Sequence, residues 1–196
     1  MPLPSVLEFA HLLLAGHLNE GGRALDATAG NGYDTRFLAQ QVGEGGLVWA
    51  FDIQREALDN TAGRLEASGL SHRVRLIADS HVRLTDYINE TLDAAVFNFG
   101  YLPGGDKNIT TRGKDSVTAL QAAAGLLRAG GLIAAVVYSG HPAGKEEAQA
   151  VASWAQSLPQ SDFQVLHYGF TNQKNHPPFL LAVEKRTRHQ PKEPLL

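Results

Sequence analysis

Residues 92–111 read LDAAVFNFGYLPGGDKNITT and start as a buried strand would, with Leu92, Ala94, Val96 and Phe97 in an apolar run. The run then gives way to Asn98, to Phe99 and Tyr101 (both read as exposed aromatics), to the pair Gly104-Gly105 and to Asp106-Lys107. An amide oxygen beside a backbone carbonyl can accept the hydrogens of a target amine and so aim its lone pair. An aromatic ring can stack on a flat base. Together these residues suit a reaction in which an amine nitrogen attacks and positioning supplies much of the rate. The plain alternative is a strand that ends in a polar turn, with Tyr101 packed as core.

A second cluster comes earlier. LDATAGNGYDT carries the skeleton Asp26-x-Thr28-x-Gly30-x-Gly32 and leads into a helix. Glycines let the backbone turn sharply and let a ligand approach closely, and a helix start offers free N–H groups. A dinucleotide fingerprint wants a further glycine where Thr35 stands, and the phosphate-loop ending Gly-Lys-Ser/Thr is absent. A carboxylate at Asp26 would repel a pyrophosphate but suits an ammonium. S-adenosylmethionine (SAM), whose methionine end carries an ammonium and a carboxylate, therefore fits the loop better than NAD. Asp52 ends WAFDI about twenty residues on, the place of a ribose-binding acid. Asp79-Ser80-His81 closes the third strand and can read an adenine edge. Each has a simpler reading too: a tight turn, a surface acid at Asp52, a helix cap at Asp79 or Ser80, a packing residue at His81.

The elements that must hold these residues alternate. Strands are expected at 23–28, 46–53, 73–79, 92–98, 132–140, 163–170 and 178–186, the fifth being the most apolar and central. Helices are expected from Pro4-Ser5 to Asn19, over 34–43, over 54–70, briefly over 81–89, within 112–131 with Gly130-Gly131 as its stop, and over 143–158. The alternation implies a parallel sheet covered on both faces. The link TNQKNHP is too short for a crossover helix, so the last two strands should pair antiparallel. The expectation is an α/β three-layer sandwich, a single domain over 1–186 with a loose tail at 187–196.

The 196 residues carry a net charge of −3 and are 43% hydrophobic and 19% charged, a globular balance that disfavours a strongly basic nucleic-acid scaffold. With no cysteine, disulfides, thiol nucleophiles and cysteine-ligated zinc are excluded, and no metal site is expected. No run is long enough to span a bilayer, and the apolar start lacks a basic n-region, so a cytoplasmic protein is expected. The apolar first helix is a candidate homodimer contact.

Asn98-Phe99-Gly100-Tyr101 resembles the Asn/Asp-Pro-Pro-Tyr/Phe signature of amino-group methyltransferases, with Phe99-Gly100 in place of the prolines. Across residues 6 to 185, DATAGNGYDT, FDIQ, ADSH and NFGYLPGGDKNITT resemble the small bacterial rRNA-methylase family of class I methyltransferases. That resemblance implies a Rossmann-like fold with strand order 3-2-1-4-5-7-6, the last strand antiparallel, and SAM as methyl donor. It implies a tRNA substrate, the 5-aminomethyl group of 5-aminomethyl-2-thiouridine at the wobble position. The anticodon stem-loop is then the expected partner. It assigns Asp26, Thr28, Gly30, Asn31 and Gly32 to the methionine moiety, and counts Asp34 and Thr35 in the following turn among the cofactor-binding residues. Asp52 and Gln54 take the ribose, and Asp79, Ser80 and His81 the adenine side. Asn98, Phe99, Gly100, Tyr101, Leu102 and Pro103 frame the reacting centre. Asp106 is the candidate base for the amine, since an alkylammonium has no lone pair. Lys107, Arg112 and Lys114 are candidate phosphate contacts, or a solvated charged loop. His11, from the first helix, and Lys174, Asn175 and His176, from the last hairpin, are weaker candidates for the same cleft and for RNA. Two rival readings remain, a methyltransferase for another RNA or a small-molecule amine, and a non-catalytic SAM-binding regulatory module.

Overall fold

The computed structural model describes residues 2–99, 113–140, 142–174 and 176–187. In chain order its elements are α1 (Val6–His17), β1 (Arg23–Asp26), α2 (Tyr33–Gln41), β2 (Leu47–Phe51), α3 (Arg55–Ala67), β3 (Val74–Ile77), β4 (Leu92–Phe99), α4 (Gly113–Leu126), β5 (Leu127–Val137), α5 (Pro142–Ser157), β6 (Phe163–Tyr168) and β7 (Phe179–Lys185). Short 3-10 turns at Ser71–Arg73 and His81–Asp86 flank β3. The strands form one sheet in the order β3-β2-β1-β4-β5-β7-β6. The pairs among β1 to β5 are parallel, and β7 runs antiparallel to both β5 and β6. This is the expected class I methyltransferase architecture.

Alternation along the strands divides the core in two. Val48, Val96 and Ala134 face a layer that includes Leu14 of α1, Leu38 of α2 and Leu65 of α3. Their neighbours Trp49, Phe97 and Ala135 face Leu120 of α4 and Val151 and Trp154 of α5. A strand buried on both faces is apolar where it is covered, which is why β2, residues 94–97 of β4 and residues 132–137 of β5 read as apolar runs. α1 starts where expected because Ser5 and Glu8 form a capping box, the Ser5 N–H donating to Glu8 Oε2 at 2.7 Å and the Glu8 N–H to Ser5 Oγ at 3.3 Å.

The boundary between α4 and β5 differs from expectation, since β5 starts at Leu127 and ends at Val137. Gly130-Gly131 does not stop α4, which ends at Leu126. Instead the pair lies in an irregular start of β5, where the β4–β5 register jumps from Leu92↔Leu127 to Ala94↔Leu132. Gly130 has φ of +75°. A Cβ on Gly131 would meet three backbone carbonyls at 3.0–3.1 Å. The end of α4 is satisfied from a distance: Lys185 Nζ donates to the carbonyls of Leu127 at 2.7 Å, Gly125 at 3.3 Å and Ala124 at 3.4 Å. A cation at a helix C-terminus does this job through both charge and hydrogen bonds. Lys185→Met keeps the stem and removes the donors. It is expected to lower unfolding free energy by about 1 kcal/mol in urea titration, with an unchanged slope.

Candidate active site

The carboxyl ends of β1, β2 and β4 converge on the loop 27–32. Its backbone is a continuation of the sheet: Ala27 N–H donates to Val96 O at 3.0 Å and Ala29 N–H to Phe51 O at 2.8 Å. Gly30 and Gly32 have φ of +52° and +77°. At Gly32 the space is closed as well, since an added Cβ would lie 2.8 Å from Thr61 Cα. Thr61 Oγ1 in turn donates to Gly30 O at 2.9 Å, so α3 braces the turn from outside. Gly32→Ala combines a left-handed backbone with a backbone clash. It is expected to cost about 3 kcal/mol in chemical denaturation and to weaken SAM binding in calorimetry.

Asp26 is 0% exposed. Its Oδ1 accepts the Thr28 N–H at 3.1 Å and its Oδ2 the Thr35 hydroxyl at 2.6 Å. Burial, and then the neighbouring Asp34 carboxylate, push its pKa up to about 7. With both oxygens engaged, Asp26 would act on an ammonium through its field and through the loop shape it fixes.

Asp34, on the first turn of α2, is the hub of the cluster. Its Oδ1 accepts from His11 Nε2 at 2.5 Å and its Oδ2 from Asn98 Nδ2. The His11 ring stacks on Phe37 with centroids 4.0 Å apart, so α1 does deliver that ring to the cleft. The Asn98 N–H donates to Thr28 Oγ1 at 2.7 Å, tying the end of β4 to the loop. Because a carboxylate only accepts, the Asn98 amide must turn its NH2 to Asp34 and its oxygen away. That Oδ1 is buried and has no hydrogen-bond partner among the described residues, an acceptor waiting for a donor. Tyr138, just beyond β5, also faces this cluster: burial and then the Asp34 charge raise its phenol pKa. Nothing in the sequence singles out Tyr138; its one signal is a polar ring at the end of the most apolar strand.

Asp52 closes the loop from β2, its Oδ2 accepting the Gly30 N–H and its Oδ1 the Gln54 N–H, each at 2.9 Å. Next to it Ile53 is 63% exposed, an apolar surface at the site's rim that the sequence did not flag. Asp79 is heavily used within the protein. It accepts from the Ser80 N–H and the Tyr87 hydroxyl, each at 2.7 Å, and pairs with Arg83 at 3.0 Å. Those contacts, the Tyr87 hydrogen bond foremost, hold its pKa below the ordinary value. Ser80 caps the 3-10 turn through the Val82 N–H. His81 Nδ1 lies 3.1 Å from Ala27 O, so that nitrogen carries the hydrogen. Burial lowers its pKa, and its Nε2 is buried without a partner among the described residues.

Phe99 differs from its expected exposure. β4 runs one residue further than the pattern suggests, and the ring is 0% exposed, 5.3 Å from Phe97. Phe99 can therefore offer a ligand its backbone and not its ring. Lys114 is exposed in the first turn of α4. Gly100, Tyr101, Leu102, Pro103, Asp106, Lys107, Arg112 and Asn175 lie outside the described residues. Lys174 and His176 are exposed on the hairpin, His176 with φ of +49°.

The donor set fits SAM. Acceptors at Asn98 and His81 without a partner among the described residues, a glycine turn fixed by Asp26 and Asp52, and the exposed Ile53 lie together at the carboxyl ends of the strands.

Known proteins place the chain. The rRNA methylase family model matches residues 48–184. A curated Arabidopsis thaliana protein, tRNA (mnm(5)s(2)U34)-methyltransferase, chloroplastic, is 37% identical over 189 residues, covering 91% of this chain and 69% of its own length. A Clostridium thermocellum structure assigned as an rRNA methylase is 41% identical, with a TM-score of 0.93 over 94% of this chain and 100% of that one. A Streptococcus mutans structure assigned as a methyltransferase, in complex with SAH, is 37% identical, with a TM-score of 0.87 over 94% of this chain and 99% of that one. With the sheet order, the glycine turn and the buried acid, these likenesses make the chain a SAM-dependent methyltransferase of the rRNA methylase family.

Proposed function

We propose that this enzyme methylates an amine on RNA, the 5-aminomethyl group of 5-aminomethyl-2-thiouridine at the tRNA wobble position. The observation that carries the amine is the Asn98 carboxamide, locked through its NH2 by Asp34 with its oxygen buried and without a partner among the described residues. The tRNA is supported by the relative whose name states that substrate. When bound, SAM supplies an electrophilic methyl group on sulfur. The protein's part is to hold the nucleophile in line and uncharged. Asn98 Oδ1 accepts one amine hydrogen and so fixes the lone-pair direction. Asp106 takes the proton that an alkylammonium must lose. Asp26, Thr28, Gly30, Asn31, Gly32, Asp34 and Thr35 shape the methionine end, and Asp52 and Gln54 hold the ribose. Ile53 offers the adenine an apolar face beside His81. Tyr101, Leu102 and Pro103 frame the uridine, while Lys107, Arg112 and Lys114 meet phosphates of the anticodon loop.

Mass analysis of tRNA nucleosides from cells lacking the gene tests this reading. Accumulated 5-aminomethyl-2-thiouridine is the expected result. An unchanged nucleoside profile, with purified enzyme methylating a free alkylamine instead, would move the substrate to small molecules.

A further inference from the structure

A groove between α2 and α3 adjoins the cofactor loop and has a different chemistry. It encloses about 640 Å³, and Asn31, Tyr33, Arg36, Asn60 and Arg64 line it with Ala67 and Ser68. No carboxylate is among these residues. Arg23, Arg55, Arg73, Arg83 and Arg128 each hold an Asp or Glu. Among the described residues, no such ion pair forms at Arg36 or Arg64.

Arg64 is nonetheless held in place. Its Nε donates to Asn31 O at 2.8 Å, and its guanidinium carbon sits 3.7 Å from the centroid of the Tyr33 ring. Tyr33 is 60% exposed, so this stacked pair stands at the surface. Asn60 Nδ2 donates to Asn31 Oδ1 at 3.2 Å and steadies the same wall. Arg36 has the opposite problem: its Nε is buried and has no acceptor among the described residues. A buried cationic donor without an acceptor is costly unless a ligand provides one. A braced guanidinium at Arg64 and a buried, unsatisfied donor at Arg36, in a groove whose described lining holds no carboxylate, match an oxyanion with several acceptor oxygens.

We propose that this groove seats a backbone phosphate of the RNA substrate, a contact that rests on the RNA reading above. Asn31 belongs to both the cofactor loop and the groove wall, so a strand whose phosphate sits between Arg36 and Arg64 would lie beside the cofactor loop. In a chain with a net charge of −3, attraction for RNA has to come from such local clusters.

Arg36→Gln is the cleaner probe, because Arg64 also braces Asn31. With an unmodified anticodon stem-loop RNA as ligand, Arg36→Gln is expected to weaken binding about tenfold near physiological salt. It should also reduce the slope of log affinity against log salt by about 1. Arg36→Lys should recover part of the loss, and SAM affinity by calorimetry should stay within about twofold for both variants. RNA affinity and salt slope unchanged in a folded Arg36→Gln protein would overturn the proposal. So would a loss of SAM affinity with RNA binding intact, which would make the groove part of the cofactor site. If the parent enzyme itself shows no salt-dependent RNA binding, the RNA reading falls, and the groove proposal with it.

Discussion

Asn98→Ala is expected to lower turnover on the order of a hundredfold while SAM affinity stays within about threefold. The asymmetry follows from the geometry. The main-chain N–H of Asn98 anchors β4 to Thr28 Oγ1, and alanine keeps that bond. Only the carboxamide is lost, and with it the acceptor that Asp34 aims into the site. Asn98→Asp is expected to fare no better, because a new carboxylate would face Asp34 and, behind it, Asp26. Single-turnover kinetics with saturating SAM, set beside equilibrium SAM binding, makes the comparison. Equal losses in both quantities would show that Asn98 serves the cofactor and not the amine.

Asp26→Asn is expected to separate stability from function. Burial first, and then the Asp34 carboxylate, push the folded pKa of Asp26 up to about 7 from its ordinary 3.8. Between those values the folded protein holds a proton that the unfolded chain has released. The contribution of Asp26 to stability is therefore full below about pH 4 and is lost as pH rises through about 7. Asparagine carries no charge to desolvate, so this part of the pH dependence should vanish. At pH 8 the variant's unfolding midpoint should equal or exceed the parent's. His81 works in the opposite sense, since its lowered pKa costs stability as pH falls below its unfolded value. The difference between variant and parent, measured across pH 4–8, cancels that term. SAM binding should move the other way. An ammonium near Asp26 favours the ionised acid, so parent affinity should climb with pH towards 7 and binding should release protons. Calorimetry in two buffers of different ionisation enthalpy measures that release. In the variant, affinity should be weaker and flat with pH; a parent-like profile would remove Asp26 from cofactor recognition.

What was legible in the sequence follows from how local each signal is. The central strands are visible because strands buried on both faces are largely apolar, and the helices because they carry their own periodicity. The glycine turn and Asp52 are also local, and the structure joins them through the Gly30 N–H. Three features escaped for a shared reason. The carbonyls at the end of α4 are satisfied by Lys185, on a strand far along the chain, while the nearer Gly130-Gly131 looked like the stop. The surroundings of Asp34 combine His11 from α1, Asn98 from β4 and Tyr138 beyond β5, and no single window of sequence contains them. Phe99 looked like the start of a loop but packs as the last residue of a strand, because its partner Val137 extends the pairing.

The place of β7 has a consequence for how the molecule comes into being. Among the described residues β6 pairs only with β7, and β5 has β4 on one side and β7 on the other. During synthesis, therefore, β5 waits as an open edge and β6 has no neighbour until residues 179–185 have left the ribosome. The same strand brings Lys185 to the end of α4. It also pairs with the strand whose Tyr168 hydroxyl donates to Pro4 O, at the entry to α1, at 2.7 Å. α1 is what carries His11 to Asp34. A nascent chain that already contains every residue of the glycine turn would thus remain an unfinished enzyme, with a bare sheet edge exposed to other chains. Ribosome-stalled chains ending before Phe179 should be cut readily by protease and retain no SAM, while chains with Lys185 clear of the exit tunnel should resist and bind.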